Sequence, residues 1–115
     1  MKKIYHFLAA VWLEEKAEGQ TSILADKFSG LIAYHYESGE IWNKAYQYYI
    51  KAGNKAKKDN SIEEGIKNYS SALRIIEKIK TGKVKIEQKQ DTSIAYNTLY
   101  NKELETRIEL DDLYD

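Results

Sequence analysis

Apolar residues recur every three to four positions along most of this 115-residue chain, the spacing of helices that each bury one face. Ile4, Leu8 and Val11 share a face of the first segment, with Tyr5 and Trp12 beside them, and predict an N-terminal packing helix over 2–18. A second helix over 22–38 carries Leu24, Phe28, Leu31, Ile32 and His35 inward, with Thr21 or Ser22 as its cap. Gly39 is the expected stop, because a left-handed C′ position suits a residue without a Cβ. The next helix, capped by Asn43, has an inner row of Ala45, Tyr49, Ala52 and Ala56, flanked by Trp42, Tyr46 and Tyr48. That row is small enough to let a neighbouring helix approach closely. Ser61 and Glu64 have the spacing of a capping box ahead of Ile62, Ile66, Tyr69, Leu73 and Ile76, and Thr81-Gly82 ends that helix. A polar stretch, "KVKIEQKQDTS", leads into a last helix within 83–115, whose face reads Tyr96, Leu99, Tyr100, Leu104 and Ile108.

Composition supports long helices and narrows the function. The chain has no proline, so no helix interior loses a backbone donor. Eighteen basic and eighteen acidic residues cancel, leaving no whole-protein field to draw the chain to nucleic acid or an anionic membrane. Without cysteine there is no disulfide frame and no thiolate zinc site, which fits a reducing cytoplasm. The start "MKKIYHFLAAVWLEEKAEG" has the charge and apolar run of a secretory signal. His6 interrupts that run, however, and two glutamates follow it where a small-residue cleavage site belongs. It is also too short to span a bilayer. The expectation is a single all-α domain over 1–115, a cytoplasmic stack of about five antiparallel amphipathic helices.

Internal similarity sharpens that picture. Around Ala45 the chain reads "NKAYQYYIKAG" and around Gly65 "EEGIKNYSSAL". In both, a small residue is followed four positions later by Tyr49 or Tyr69 and three further on by Ala52 or Ala72. The stretch "GLIAYHYESGEIWNKAYQYYIKAGNKAKKDNSIEEGIKNYSSALRIIEKI", residues 30–79, resembles tetratricopeptide-like repeats downstream of the ATPase module in large bacterial signalling proteins, including those with nucleotide cyclase domains. "YHFLAAVWLEE" at 5–15 is similar to the helix before those repeats, and "LETRIELDDLYD" reads as the opening of one more. The chain departs from the family pattern in several places. The closing proline is missing, Gly65 replaces the commoner alanine, and "GEIWNKA" is one residue longer than the usual turn. The two signatures also lie 20 residues apart, against about 34 in a regular array. The resemblance implies an α-α superhelix that binds protein or peptide partners and serves a signalling ATPase or cyclase as a regulatory or assembly module.

The residues that carry chemistry are sparse. His6 and His35 lie on different predicted helices with no cysteine nearby, so a metal site is not expected, and His35 reads as a packed, hydrogen-bonded histidine. No GxxxxGK[ST] or GxGxxG loop is present to cradle phosphates. Glu14-Glu15 and Glu63-Glu64 are adjacent pairs that splay apart on a helix, and Ser70-Ser71 has no base beside it. The chain is therefore read as non-catalytic, with no cofactor and no small-molecule substrate. In stacked helical pairs the first helix of each pair lines the concave face, which makes Lys27, Tyr34, Tyr36 and Glu37 the candidate partner-binding residues on the outer side of 22–38. Tyr46 and Tyr48 come next. The competing account has these tyrosines packed between helices with their hydroxyls at the rim. A second functional reading is a homo-oligomerisation module, such as a homodimer, because repeat stacks need about three units and capped ends. A third is a nucleic-acid adaptor using Lys51, Lys55, Lys57 and Lys58 with interleaved aromatics, although late-helix lysines ordinarily serve the helix dipole. The acidic end, Glu103 to Asp115, is a candidate to dock on the basic run of another copy.

Overall fold

With no proline to interrupt them, the apolar-periodic segments close into long helices. The computed structural model describes residues 2–18, 28–82 and 92–114. Among these are five helices and no strand: α1 (Lys2–Glu18), α2 (Ser29–Ser38), α3 (Trp42–Lys58), α4 (Ile62–Lys80) and α5 (Thr92–Tyr114). The expected caps Thr21 and Ser22, the inward Leu24, and the polar stretch 83–91 lie outside the described residues, as does the side chain of Tyr96.

One turn is used twice, 20 residues apart. After α2, the Glu40 N–H donates to the Glu37 carbonyl and the Ile41 N–H to the Tyr36 carbonyl at 2.8 Å. After α3, Asn60 donates to Lys57 and Ser61 to Ala56, again at 2.8 Å. Both are Schellman closures, which satisfy carbonyls left over at a helix end. They need a left-handed residue, and it is Glu40 (φ 62°) and Asn60 (φ 60°) that adopt it. Gly39 does not. It is helical at φ −85°, which corrects the expectation from its lack of a Cβ. Its bareness serves another contact, because a Cβ there would meet the Lys3 carbonyl oxygen and the Phe7 nitrogen of α1, each at 3.1 Å. At the end of α4, Gly82 is left-handed at φ 75° and its N–H donates to the Ile79 carbonyl.

Two cap assignments are also corrected. Ser61 stands at the N-cap of α4 but makes no side-chain capping bond, so the capping box is not closed. α3 begins at Trp42 with Ile41 as its N-cap, two residues before the expected cap Asn43, whose carbonyl instead accepts from Gln47.

Each helix packs chiefly on its neighbour in the chain, α1 on α2, α2 on α3, α3 on α4 and α4 on α5. α1 and α5 are thus the ends of the packing order. The core joins Ile32, Ala33 and Tyr36 of α2 to Ala45, Tyr46 and Tyr49 of α3 and to Ala72, Ile75, Ile76 and Ile79 of α4; Ala10 and Leu99 close it from the end helices. Each fully buried isoleucine contributes roughly 1.5–3 kcal/mol. The small–Tyr–Ala rows are both buried: Ala45, Tyr49, Ala52 and Ala56 on α3, and Gly65, Tyr69 and Ala72 on α4.

The terminal helices bury only part of the faces expected: Leu99 is in the core and Val11 is partly covered, but most of the rest is not. On α1 it is Ala10 that is fully covered, with His6 and Leu13 partly so, while Ile4, Leu8 and Trp12 are 55–62% exposed. On α5, Leu99, Thr106 and Leu113 turn inward, while Tyr100, Leu104 and Ile108 are exposed. Leu31 and Ile62, both assigned inward, are also exposed. The reason is the same at both ends. A terminal helix has one neighbour and two apolar faces, and periodicity marks both.

Candidate interaction site

The tyrosines tie the stack together. Tyr36, Tyr48, Tyr49 and Tyr69 each place the ring in a gap between helices and the hydroxyl on a polar group from another element, the arrangement that best uses an amphipathic ring. Glu14 of α1 accepts from the Tyr36 hydroxyl at 2.9 Å, from the Tyr48 hydroxyl, and from Lys44 Nζ at 3.1 Å. The rings of Tyr36 and Tyr48 stack 5.9 Å apart. Burial pushes the Glu14 carboxyl up, but hydrogen bonds from Tyr48, Tyr36 and Lys44, with the charge of Lys44, outweigh it and hold the group below the ordinary carboxylate range.

Glu37 repeats the design one layer along. It accepts from the Tyr49 hydroxyl at 2.7 Å and pairs with Arg74 at 2.7 Å, joining α2, α3 and α4. Burial again raises its pKa; the Arg74 and Tyr49 bonds and the charges of Arg74 and Lys78 lower it further than burial raises it. Tyr49 responds oppositely, pushed up by its own burial and then by Glu37. In the next layer the Tyr69 hydroxyl donates to Asn54 Oδ1 at 2.5 Å. Among the described residues no buried side-chain nitrogen or oxygen lacks a hydrogen-bond partner.

These ties decide where the predicted site residues stand. Tyr36 is 1% exposed and Tyr46 6%; both belong to the core, which corrects their placement on an outer or flanking surface. Glu37 and Tyr48 are half-buried and committed to Arg74, Tyr49 and Glu14. Lys27 lies outside the described residues. Tyr34 alone stands out, 51% exposed, next to Leu31 at 45% one turn earlier on α2. Leu31 was missed because helical spacing places it beside Ile32 on the inner face.

The two histidines, 29 residues apart, meet across α1 and α2. His6 Nδ1 and His35 Nδ1 are 2.9 Å apart, so one ring donates an N–H and the other accepts it. Tyr34 packs edge-on against His6 with centroids 5.7 Å apart. Burial lowers the His35 pKa and the charge of His6 lowers it further. Among the described residues no group of three or more histidines and carboxylates is arranged to hold a metal ion.

The lysine run is largely engaged within the chain. Lys51 lies over the Tyr48 ring, Lys55 pairs with Asp59, and Lys57 bonds Glu109 and Asp112 of α5. The acidic end therefore docks on its own basic segment. Beside that contact, Asn54, Lys58, Tyr69, Lys102 and Glu105 line an open cleft of about 560 Å³ between α3, α4 and α5. Its walls carry both signs of charge. No described helix is long and apolar enough to cross a membrane.

No family model, curated protein or solved structure matches this chain.

Proposed function

We propose that the chain is a non-catalytic scaffold for protein partners, a tetratricopeptide-like stack of antiparallel helices. The observation that carries this reading is the exposed apolar pair Leu31 and Tyr34 on α2, flanked by the aromatic edge of His6 on α1. Exposed apolar side chains that cluster on a polar-rimmed surface mark sites where proteins dock, and a tyrosine ring is a frequent anchor there. The polar groups support the same reading. Glu14, Glu37, His6 and His35, the groups suited to acid–base work, are each bonded to other parts of the stack. A role as a regulatory or assembly module of a signalling ATPase or cyclase rests on the resemblance of residues 30–79 alone.

Selecting peptides from a displayed library against the intact chain tests the site. Binders should lose affinity at least about tenfold to Tyr34→Ala and Leu31→Asp, the size of effect expected for an interface anchor. Binders indifferent to both substitutions would place docking elsewhere and overturn this assignment.

A further inference from the structure

The Leu31–Tyr34 site stands on a titratable base. Tyr34 packs edge-on against His6 with ring centroids 5.7 Å apart, and its ring also meets that of His35, 5.2 Å away at 65°. Those two imidazoles are themselves joined, Nδ1 to Nδ1 at 2.9 Å with centroids 5.1 Å apart. Tyr34, His6 and His35 thus form one three-ring cluster that bridges α1 and α2. Both imidazoles are half-buried.

The bond between the imidazoles sets how the cluster responds to protons. Two neutral rings share one N–H, and so does a pair carrying one extra proton, because the charged ring donates to the neutral one. A second proton leaves two N–H groups facing each other with no acceptor, and the rings must part. Burial of His35 and the charge of His6 both work against that proton. No acid offsets them: among the described residues no carboxylate bonds either ring. The charged groups of the surrounding elements are Lys2 and Lys3, one turn before His6 on α1, and Glu40 after α2, which is held by Lys3. Glu37, two residues beyond His35, is bonded to Tyr49 of α3 and Arg74 of α4.

We propose that the His6–His35 pair gates partner docking at the Leu31–Tyr34 site, admitting a partner while the rings share a proton and weakening its hold in acid. This rests on the reading of that site as a docking surface. Two effects act in the same direction. Parting the rings removes the seat of Tyr34, the anchor. An apolar partner laid over Leu31 and Tyr34 also covers the His6 edge, and burial disfavours a charged imidazole. By linkage, a partner that prefers the less protonated pair expels protons as it binds.

The probe is a peptide selected from a displayed library on the full chain at about pH 7.5, capped at both ends and free of His, Asp and Glu, so that the peptide itself does not titrate in the range used. Isothermal titration calorimetry at about pH 7.5 and about pH 5 should show the unaltered chain losing at least about fivefold in affinity, with the same helix content by circular dichroism at both. Near about pH 6, titrations in buffers of different ionisation enthalpy should show protons released on binding. In His35→Gln the amide can donate to His6 or accept from it, so the bond survives protonation and the acid loss should shrink to about twofold or less. Equal affinity at the two pH values, for a peptide that Tyr34→Ala still releases, would overturn the gate and leave the docking site standing. Proton uptake, or no proton release, in the unaltered chain would do the same without any variant. An undiminished acid loss in His35→Gln would assign the effect to other groups and also overturn the gate. A peptide whose binding ignores Tyr34→Ala at about pH 7.5 would overturn the docking reading itself, and the gate with it.

Discussion

Gly53 of α3 lies directly beneath the ring of Tyr69 of α4: a Cβ at residue 53 would stand 2.5 Å from Tyr69 Cε1. The tyrosine is fully buried and its hydroxyl is fixed on Asn54, so it has little room to withdraw. Gly53→Ala gains about 1 kcal/mol of helix propensity, but forcing a methyl into a packed gap costs about 1–3 kcal/mol. The net expectation is a loss near 1 kcal/mol, read as a midpoint lowered by several degrees in a thermal melt. A melt unchanged or raised would mean that Tyr69 does not fill this gap.

Gly39 and Glu40 should respond in opposite directions. Glu40 is the left-handed residue of the first turn, and relieving that conformation by Glu40→Gly should stabilise by about 1 kcal/mol, less the small value of its exposed pair with Lys3. Gly39→Ala should destabilise, because the added methyl presses on rigid backbone atoms of α1. Chemical denaturation of both variants checks the pair. The reverse order would put the strain at Gly39.

Glu14 and Glu37 make the protein acid-sensitive. Both have pKa values below the ordinary 4.5, so each contributes stability that is complete above that pH and is lost as pH falls through its folded value. Unfolding free energies measured from about pH 6 downward should fall below about pH 4.5. Glu14→Gln and Glu37→Gln should each flatten that decline, since the amide does not titrate. An unchanged slope in both variants would remove these carboxylates from the account.

The His6–His35 contact adds a milder transition at higher pH. His35 is depressed below its ordinary 6.5, so its contribution is complete above that value and lost as pH falls through the folded pKa. Two protonated rings would also present N–H groups to each other. Thermal melts between about pH 7.5 and 5 should show a decrease that His35→Gln removes. A decrease of equal size in His35→Gln would assign it to other groups.

The sequence was most legible where a helix has neighbours on two sides. On α3 and α4 the small–Tyr–Ala row is buried at each of its positions, because a row of small residues has one use there. The end helices were legible as helices but not as faces. α1 is apolar on two sides, and nothing in its periodicity ranks the Ile4–Leu8 side above the Ala10–Leu13 side. Tyr36 was unreadable for a different reason: its burial depends on Glu14, 22 residues away, and on the ring of Tyr48. Likewise, the tie between His6 and His35 spans 29 residues. Local spacing carries no information about partners that distant.

The most direct test of the Leu31–Tyr34 site is the affinity of one peptide selected against the unaltered full chain, measured by isothermal titration calorimetry with that chain and with Tyr34→Ala. A loss of at least about tenfold, with helix content unchanged, is expected. Equal affinity for the two chains would contradict it.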